Sequence, residues 1–215
     1  PARPRLVTTR GVLDEHRHIG VESIEGLLPA NNPFFLWSIT SDVAEPNAVT
    51  LATADCTGAP SSRTVLLKGV DERGFIFFTN YNSRKGHELT QNPRAALTVF
   101  WRELERQVCL TGTVEKVTDA ESDAYFKSRP IGSRLAAWAS RQSESIPNLK
   151  WLEDQLHSMR QKFPGDDIPR PPHWGGFVIA PVRIEFWQGR PNRLHDRMRY
   201  TRQRDGSWLI ERLSP

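Results

Sequence analysis

Short runs of β-branched and aromatic residues alternate with turn formers along the chain after residue 45. Asp55-Cys56-Thr57-Gly58-Ala59-Pro60 and Asp71-Glu72-Arg73-Gly74 are two such turns, and runs bounded in this way predict strands. Because the runs are closely spaced with no helical crossover, we expect an antiparallel sheet or barrel rather than a parallel nucleotide-binding sheet. The predicted strands are Ala48–Ala54, Ser62–Lys68, Phe75–Asn80, Ala95–Trp101 and Gln107–Val117.

A helical period takes over in the middle of the chain. The sequence Thr118-x-x-Glu121 is a capping box that starts a helix ending near Ser128. Pro130 ends this helix or starts another that runs to Ser140. Apolar residues at three- and four-residue steps predict a further amphipathic helix, Leu149–Phe163.

Strand signals return after the proline-rich segment Pro164–Pro172, which we interpret as a linker. The fold class that follows is mainly β with helices (α+β), an antiparallel sheet or barrel with a peripheral helical group. Residues 33–215 are predicted to form a single domain, and Asn32–Trp37 a short helix. Residues 1–32 show no sustained period and are interpreted as a mobile arm. The last predicted strands are Trp174–Ile179, Val182–Trp187, Arg193–Thr201 and Trp208–Leu213.

Composition narrows the classes of function. The chain of 215 residues is 38% hydrophobic, which is enough to bury a core. Lys and Arg number 29 against 25 Asp and Glu, a dispersed excess that favours local anion pockets over a nucleic-acid surface. Cys56 and Cys109 are too few for a disulfide framework, and no cluster of side chains predicts a metal site. The few cysteines make a reducing, cytoplasmic setting the default, and without an apolar run of membrane-spanning length we expect a soluble protein with no membrane partner.

The densest chemistry lies in the segment EFWQGRPNRLHDR, residues 185–197. On a strand beginning near Arg193, the side chains of Arg193, His195 and Arg197 share one face. Three nitrogen-rich side chains resist burial together, so this face is either exposed to water or occupied by a flat anion. Trp187 across the turn favours the anion, because aromatic rings beside guanidinium groups stack on planar ligands. His195 is the candidate proton carrier or substrate ligand, with simple packing as the alternative.

A phosphate site is indicated where a predicted helix follows Ser83. Arg84 and Lys85 stand in its first turn, where the helix dipole is already positive and cations are unfavourable. A bound anion would remove this cost, and side chains that bend into water are the alternative explanation. Arg63 and Lys68 bracket an apolar strand segment. Their spacing places them on opposite faces unless a bulge intervenes, and a core strand with solvated ends is the alternative.

A second phosphate site is indicated in the helical region. Tyr125 and Arg129 lie four residues apart on one helical face, and Ser133 follows near a new helix start. The alternative for Tyr125 is ordinary packing, and the alternative for Ser133 is capping of the helix. The neutral polar residues that could bind the edge of a ring, or simply bond to the backbone, are Gln107, Gln142 and Ser143.

Several long motifs occur in order between residues 46 and 215: RTVLLKG, FFTNYNSRKGHEL, LERQV, YFKSRPIGS, RQS, WGG, EFWQGRPNRLHDR and ERLSP. Together they resemble the pyridoxine/pyridoxamine 5′-phosphate oxidase family. The resemblance implies an FMN-binding split β-barrel homodimer with the flavin at the subunit interface. It also implies oxidation of pyridoxine or pyridoxamine 5′-phosphate to pyridoxal 5′-phosphate, with hydride transfer to the flavin and reoxidation by O₂ to give H₂O₂.

The same resemblance implies a role for each candidate residue. The FMN site would comprise Arg63, Thr64, Val65, Leu66, Leu67, Lys68, Phe78, Thr79, Ser83, Arg84, Lys85, Gln107, Gln142, Ser143, Trp187 and Arg197. The substrate would contact Lys68, Tyr125, Arg129, Ser133, Arg193, Leu194 and His195. The catalytic residues over the pyridine ring would be Arg193 and His195.

The front of the chain departs from the family pattern. The family carries an Arg-x-x-Tyr that closes over the substrate, whereas here Gly20 stands three residues after Arg17 and no Tyr precedes Tyr81. Two alternatives therefore stay open. One is a related flavin oxidase acting on a dihydrophenazine-type heterocycle in secondary metabolism, and the other is a non-catalytic flavin- or pyridoxal-phosphate-binding module.

Overall fold

The structure, a computed structural model, describes residues 43–215, which form eight strands and four α-helices. The strands are β1 (Ala48–Ala54), β2 (Pro60–Asp71), β3 (Gly74–Asn80), β4 (Arg94–Trp101), β5 (Arg106–Lys116), β6 (Trp174–Gln188), β7 (Asp196–Arg202) and β8 (Trp208–Arg212). The helices are α1 (Arg84–Gln91), α2 (Asp119–Ser128), α3 (Ile131–Ala139) and α4 (Leu149–Lys162). The predicted arm and the helix predicted at Asn32–Trp37 lie outside the described residues.

Six antiparallel strands close into a barrel in the order β3-β2-β1-β4-β5-β6, with β6 pairing back onto β3. Strands β7 and β8 extend the sheet beyond β6. Alternate side chains point inward, so that Leu51, Phe77 and Ile179 are completely buried in the barrel core. The prediction of an antiparallel barrel with a peripheral helical group is confirmed.

Strand β6 is longer than the sequence suggested. We predicted two strands, Trp174–Ile179 and Val182–Trp187, because a proline lies between them, but the structure has one continuous strand. The register shifts here, since Gly112 of β5 pairs with Pro181 while the preceding Thr111 pairs with Arg183. Pro181 therefore sits beside a bulge, where a sheet tolerates a residue without an N–H group.

Strand β7 starts later than predicted. A 3₁₀ turn, Pro191–Arg193, precedes it, and Asn192 and Arg193 adopt left-handed backbone angles, with φ of 58° and 61°. The predicted strand Arg193–Thr201 begins instead at Asp196. The expectation that Arg193, His195 and Arg197 share one strand face is therefore wrong, because only Arg197 is on the strand.

The helix group packs against β3 and β6 through a second apolar cluster that includes Phe126, Leu135 and Trp174. Helix α2 starts at the predicted capping box, in which Thr118 and Glu121 each bind the other's backbone N–H. The helices predicted after Thr118 and Pro130 and from Leu149 are confirmed to within a residue or two. No helix among residues 43–215 is long and apolar enough to cross a membrane.

Candidate functional site

A cavity of about 780 Å³ opens between strands β2 and β3, the start of α1 and the helices α2 and α3. Lys68 is an extra residue in β2 at a register shift between Leu67 and Gly69. The bulge that would let Arg63 and Lys68 serve one site is thus present. The predicted site residues that line the cavity are Arg63, Thr64, Val65, Leu66, Lys68, Phe78, Thr79, Arg84, Lys85, Tyr125, Arg129, Ser133, Gln142 and Ser143.

Lys85 provides a buried ammonium group in the wall of the cavity, with only 8% of the residue exposed. Its Nζ donates hydrogen bonds to Thr79 Oγ1 at 3.1 Å, Ser83 Oγ at 3.3 Å and Gln142 Oε1 at 3.2 Å. Burial, together with repulsion from Arg63, lowers the pKa of Lys85 to about 8. Its three hydrogen-bond partners are neutral, so none of them compensates the ammonium charge that an anion in the cavity would meet.

Arg63 and Arg84, in contrast, share one carboxylate. Glu88 Oε2 accepts hydrogen bonds from Thr53 Oγ1 at 2.5 Å, Ser61 Oγ at 2.6 Å and Arg63 Nη2 at 3.3 Å. Glu88 Oε1 accepts one from Arg84 Nε at 2.8 Å. Burial alone would raise the pKa of Glu88, but these hydrogen bonds outweigh it and lower the pKa to about 2.

The loop after α3 completes this end of the cavity. Ser143 Oγ accepts the backbone N–H of Arg84 at 3.2 Å, so the loop supplies a partner for the first N–H group of α1. Ser143 holds this position with a left-handed φ of 75°. Two contacts therefore connect this loop to α1: Ser143 with the backbone of Arg84, and Gln142 with the side chain of Lys85.

The other end of the cavity is formed by α2, α3 and an aromatic stack. The rings of Phe78 and Tyr125 stack with centroids 4.1 Å apart, and Phe78 also stacks on Trp174 at 5.6 Å. The guanidinium of Arg129 lies 4.7 Å from the Trp174 ring centroid. Burial lowers the pKa of Arg129, and its buried Nη1 has no acceptor among the residues that the structure describes. An anion beside Tyr125 and Ser133 would satisfy it.

A separate group of predicted residues lies on the opposite side of β5, β6 and β7 from the barrel core. Gln107 pairs with Trp187, and Trp187 pairs with Arg197, so the three side chains form one row across neighbouring strands. We call these three residues the outer row. Arg197 is held there by Glu185, with Nε and Oε1 2.8 Å apart.

Arg193, Leu194 and His195 lie next to the outer row, in the segment between β6 and β7. The rings of His195 and Trp187 are 4.8 Å apart, which confirms that these two predicted residues are neighbours. His195 Nδ1 accepts the backbone N–H of Arg190 at 3.2 Å, so in the neutral ring the proton is on Nε2. Neither these residues nor the outer row line the cavity of their own chain.

Two protein families match the sequence. The family described as "Pyridoxamine 5'-phosphate oxidase" matches residues 39–163, and the family described as "Pyridoxine 5'-phosphate oxidase C-terminal dimerisation region" matches residues 174–215. The chain belongs to the pyridoxamine 5′-phosphate oxidase family. The second match also indicates a homodimer, because that family is described as a dimerisation region. It covers β6 to β8.

Several relatives within this oxidase family align over most of their length. A pyridoxine/pyridoxamine 5′-phosphate oxidase of Ralstonia pickettii is 61% identical over 178 residues, covering 83% of this chain and 84% of the relative. One from Trichormus variabilis is 51% identical and covers 96% and 99%. Among solved structures, PhzG from Burkholderia lata 383, in complex with tetrahydrophenazine-1-carboxylic acid, superposes with a TM-score of 0.79 at 33% identity, covering 87% of this chain and 94% of that one.

FMN is the cofactor of this family of oxidases, and the cavity fits it. The volume of about 780 Å³ falls within the usual range for cofactor-sized ligands. Arg63, Arg84 and Lys85 converge on one part of it and match a phosphate dianion in charge and hydrogen-bonding capacity.

Sequence reasoning did not identify every residue at the site. Trp174 lines the cavity and Glu88 lies behind its arginines, yet we assigned neither a role. The four-residue spacing of Arg84 and Glu88 was an available signal for the ion pair between them. Besides the outer row and residues 193–195, two further predicted residues do not line the cavity, because Leu67 packs in the barrel core and Ser83 caps α1.

Proposed function

We propose that this protein is an FMN-dependent oxidase that converts pyridoxine 5′-phosphate or pyridoxamine 5′-phosphate to pyridoxal 5′-phosphate. O₂ accepts the two electrons and becomes H₂O₂, and the amine substrate also consumes water and releases its nitrogen as ammonia. The observation that carries the choice of substrate is the buried Arg129 Nη1, which lacks an acceptor among the described residues. Lys68, Tyr125 and Ser133 line the same cavity, so the phosphate of a substrate bound beside them would provide an acceptor for Arg129 Nη1.

The cofactor and substrate would use different parts of the cavity. Arg63, Arg84 and Lys85 would bind the FMN phosphate, and Gln142 and Ser143 would hold the neighbouring part of the cofactor. FMN supplies the redox chemistry when bound, since it accepts two electrons from the substrate and passes them to O₂. The protein binds and orients both ligands, and two separate phosphate grips fix one ring relative to the other.

The site would be completed by a second copy of the chain. The outer row, Gln107, Trp187 and Arg197, faces away from its own barrel core and lies in or opposite the segment that matches the dimerisation region. In the homodimer these side chains would reach the flavin bound by the partner. Arg193 and His195 would then bind the substrate over its pyridine ring, with the His195 Nε2–H as a hydrogen-bond donor.

A dihydrophenazine-type substrate is the second candidate, because the similar PhzG structure holds tetrahydrophenazine-1-carboxylic acid. A carboxylate on such a ring could also pair with Arg129. A phosphate offers more acceptor oxygens than a carboxylate for the four cavity-lining side chains Lys68, Tyr125, Arg129 and Ser133. These residues therefore favour the phosphorylated pyridine.

Reduction under nitrogen tests the proposal. The purified protein should be yellow, should bleach when pyridoxine 5′-phosphate is added and should recover its colour in air. Steady-state rates with pyridoxine 5′-phosphate, pyridoxamine 5′-phosphate and a dihydrophenazine carboxylate then identify the substrate. A yellow protein that none of the three reduces would be a flavin-binding module, and a colourless protein that takes up no FMN would refute the assignment altogether.

A further inference from the structure

An anionic side chain lies directly behind the group of cations proposed to bind the FMN phosphate. Glu88, in α1, is only 4% exposed and is ionised, as its low pKa shows. A carboxylate beside an anion site opposes binding through its charge. The hydrogen bonds of Glu88 show what offsets this cost. The inference drawn from them rests on the proposed function, because it concerns the same phosphate site.

The hydrogen bonds of Glu88 connect three elements. It lies in α1, it accepts from Thr53 at the end of β1, and it accepts from Ser61 and Arg63 of β2. Arg63 is tied to the same two hydroxyl groups, because it donates to Thr53 Oγ1 at 2.5 Å and to Ser61 Oγ. Arg84 is bound by the other carboxylate oxygen. Both arginines are thus fixed by one buried group with satisfied oxygens.

Arg84 shows why such an anchor matters. Its side chain is 63% exposed, whereas that of Glu88 is 6% exposed, and an exposed arginine loses conformational entropy when it is held in one position. The ion pair with Glu88 imposes that loss before the ligand arrives, so binding does not incur it. The charges also balance: three cations and one carboxylate leave two positive charges, which matches a phosphate dianion.

We propose that Glu88 is a positioning residue for the cofactor phosphate, which fixes the guanidinium groups of Arg63 and Arg84 so that both point at one anion. Its effect is specific to the phosphate. FMN and riboflavin share the isoalloxazine ring and differ in that group, so the ratio of their affinities isolates the role of Glu88 from any general effect on the fold.

The experiment measures dissociation constants of FMN and riboflavin by flavin fluorescence for the apoprotein and its variants. In Glu88→Ala the FMN affinity should fall about ten-fold or more, as for a lost hydrogen bond to a charged group, while riboflavin affinity stays within about two-fold. The FMN affinity of Glu88→Gln should lie between those of the unaltered protein and Glu88→Ala, because the amide keeps one acceptor oxygen. Glu121→Gln is the matched control, since Glu121 also has a pKa lowered to about 2 and pairs with an arginine, Arg73, away from the cavity.

Each other outcome overturns the inference in a recognisable way. Equal losses for FMN and riboflavin would make Glu88 a structural residue only, and tighter FMN binding by both variants would mean that its charge outweighs its positioning effect. If Glu88→Ala does not fold, Glu88→Gln decides alone, and an unchanged affinity ratio in it refutes the proposal. If the unaltered protein binds neither flavin, the proposed function itself fails, which is a different result.

Discussion

The low pKa of Lys85 predicts that FMN binding weakens in mildly alkaline solution. Burial and the nearby Arg63 lower this pKa from 10.5 to about 8 in the protein without cofactor. From pH 7 to pH 9 the charged fraction of such a group falls from about nine tenths to about one tenth. The FMN phosphate does not change charge in this range, because its second pKa is near 6. If the ammonium is required, the dissociation constant of FMN should therefore rise about ten-fold.

The assay is a fluorescence titration of the apoprotein with FMN at half-unit steps from pH 6.5 to pH 9.5. Lys85→Met should bind FMN more weakly at pH 7 and should lose the step near pH 8. Riboflavin, which has no phosphate, should show no step with either protein. The stability of the apoprotein should change in the opposite direction, rising between pH 8 and pH 10.5, because there the unfolded chain binds more protons than the folded one. An FMN affinity that stays constant between pH 7 and pH 9 would refute the role of the Lys85 charge.

Three further substitutions test the other assignments. Arg129→Ala should raise KM for pyridoxine 5′-phosphate by about ten-fold or more while leaving FMN affinity nearly unchanged, and equal effects on both would mean that the two phosphate sites are interchanged. Arg193→Met should retain FMN but lower kcat sharply, so unchanged turnover would remove Arg193 from the mechanism. Gly74→Ala should lower the free energy of unfolding by more than about 2 kcal/mol in urea titrations, because its φ is 141° and a Cβ would lie 2.0 Å from the Ile179 carbonyl oxygen. The control Gly132→Ala, in open space within α3, should be neutral or slightly stabilising.

Local patterns were sufficient to predict most of the barrel and one side of the site. Strand runs bounded by turn formers gave β1 to β5, because β-branched and aromatic residues favour extended backbone and turn formers end it. The cationic first turn of α1 pointed to the cavity, since Arg84 and Lys85 stand where the helix dipole is already positive and a bound anion is needed to stabilise them. The four-residue spacing of Tyr125 and Arg129, with Ser133 near the next helix start, indicated a second phosphate site, and all three residues line that cavity.

Three features depended on contacts that no local pattern contains. Pro181 looked like the end of a strand, but the partner strand β5 absorbs it at a bulge. The left-handed angles of Asn192 and Arg193 delay the start of β7 and remove His195 from it. The third is Glu88, which meets Thr53 and Ser61 only after the strands that carry them have paired.

Strand β6 determines when the barrel can close during folding. Phe75 in β3 pairs with Ile179, so closure joins segments far apart in sequence and must await the synthesis of β6. Until then β3 and β5 each present an unpaired edge that can recruit another nascent copy. Chains shortened before residue 174 should therefore aggregate rather than yield a smaller flavin-binding barrel, and expression conditions that slow synthesis will extend the vulnerable interval.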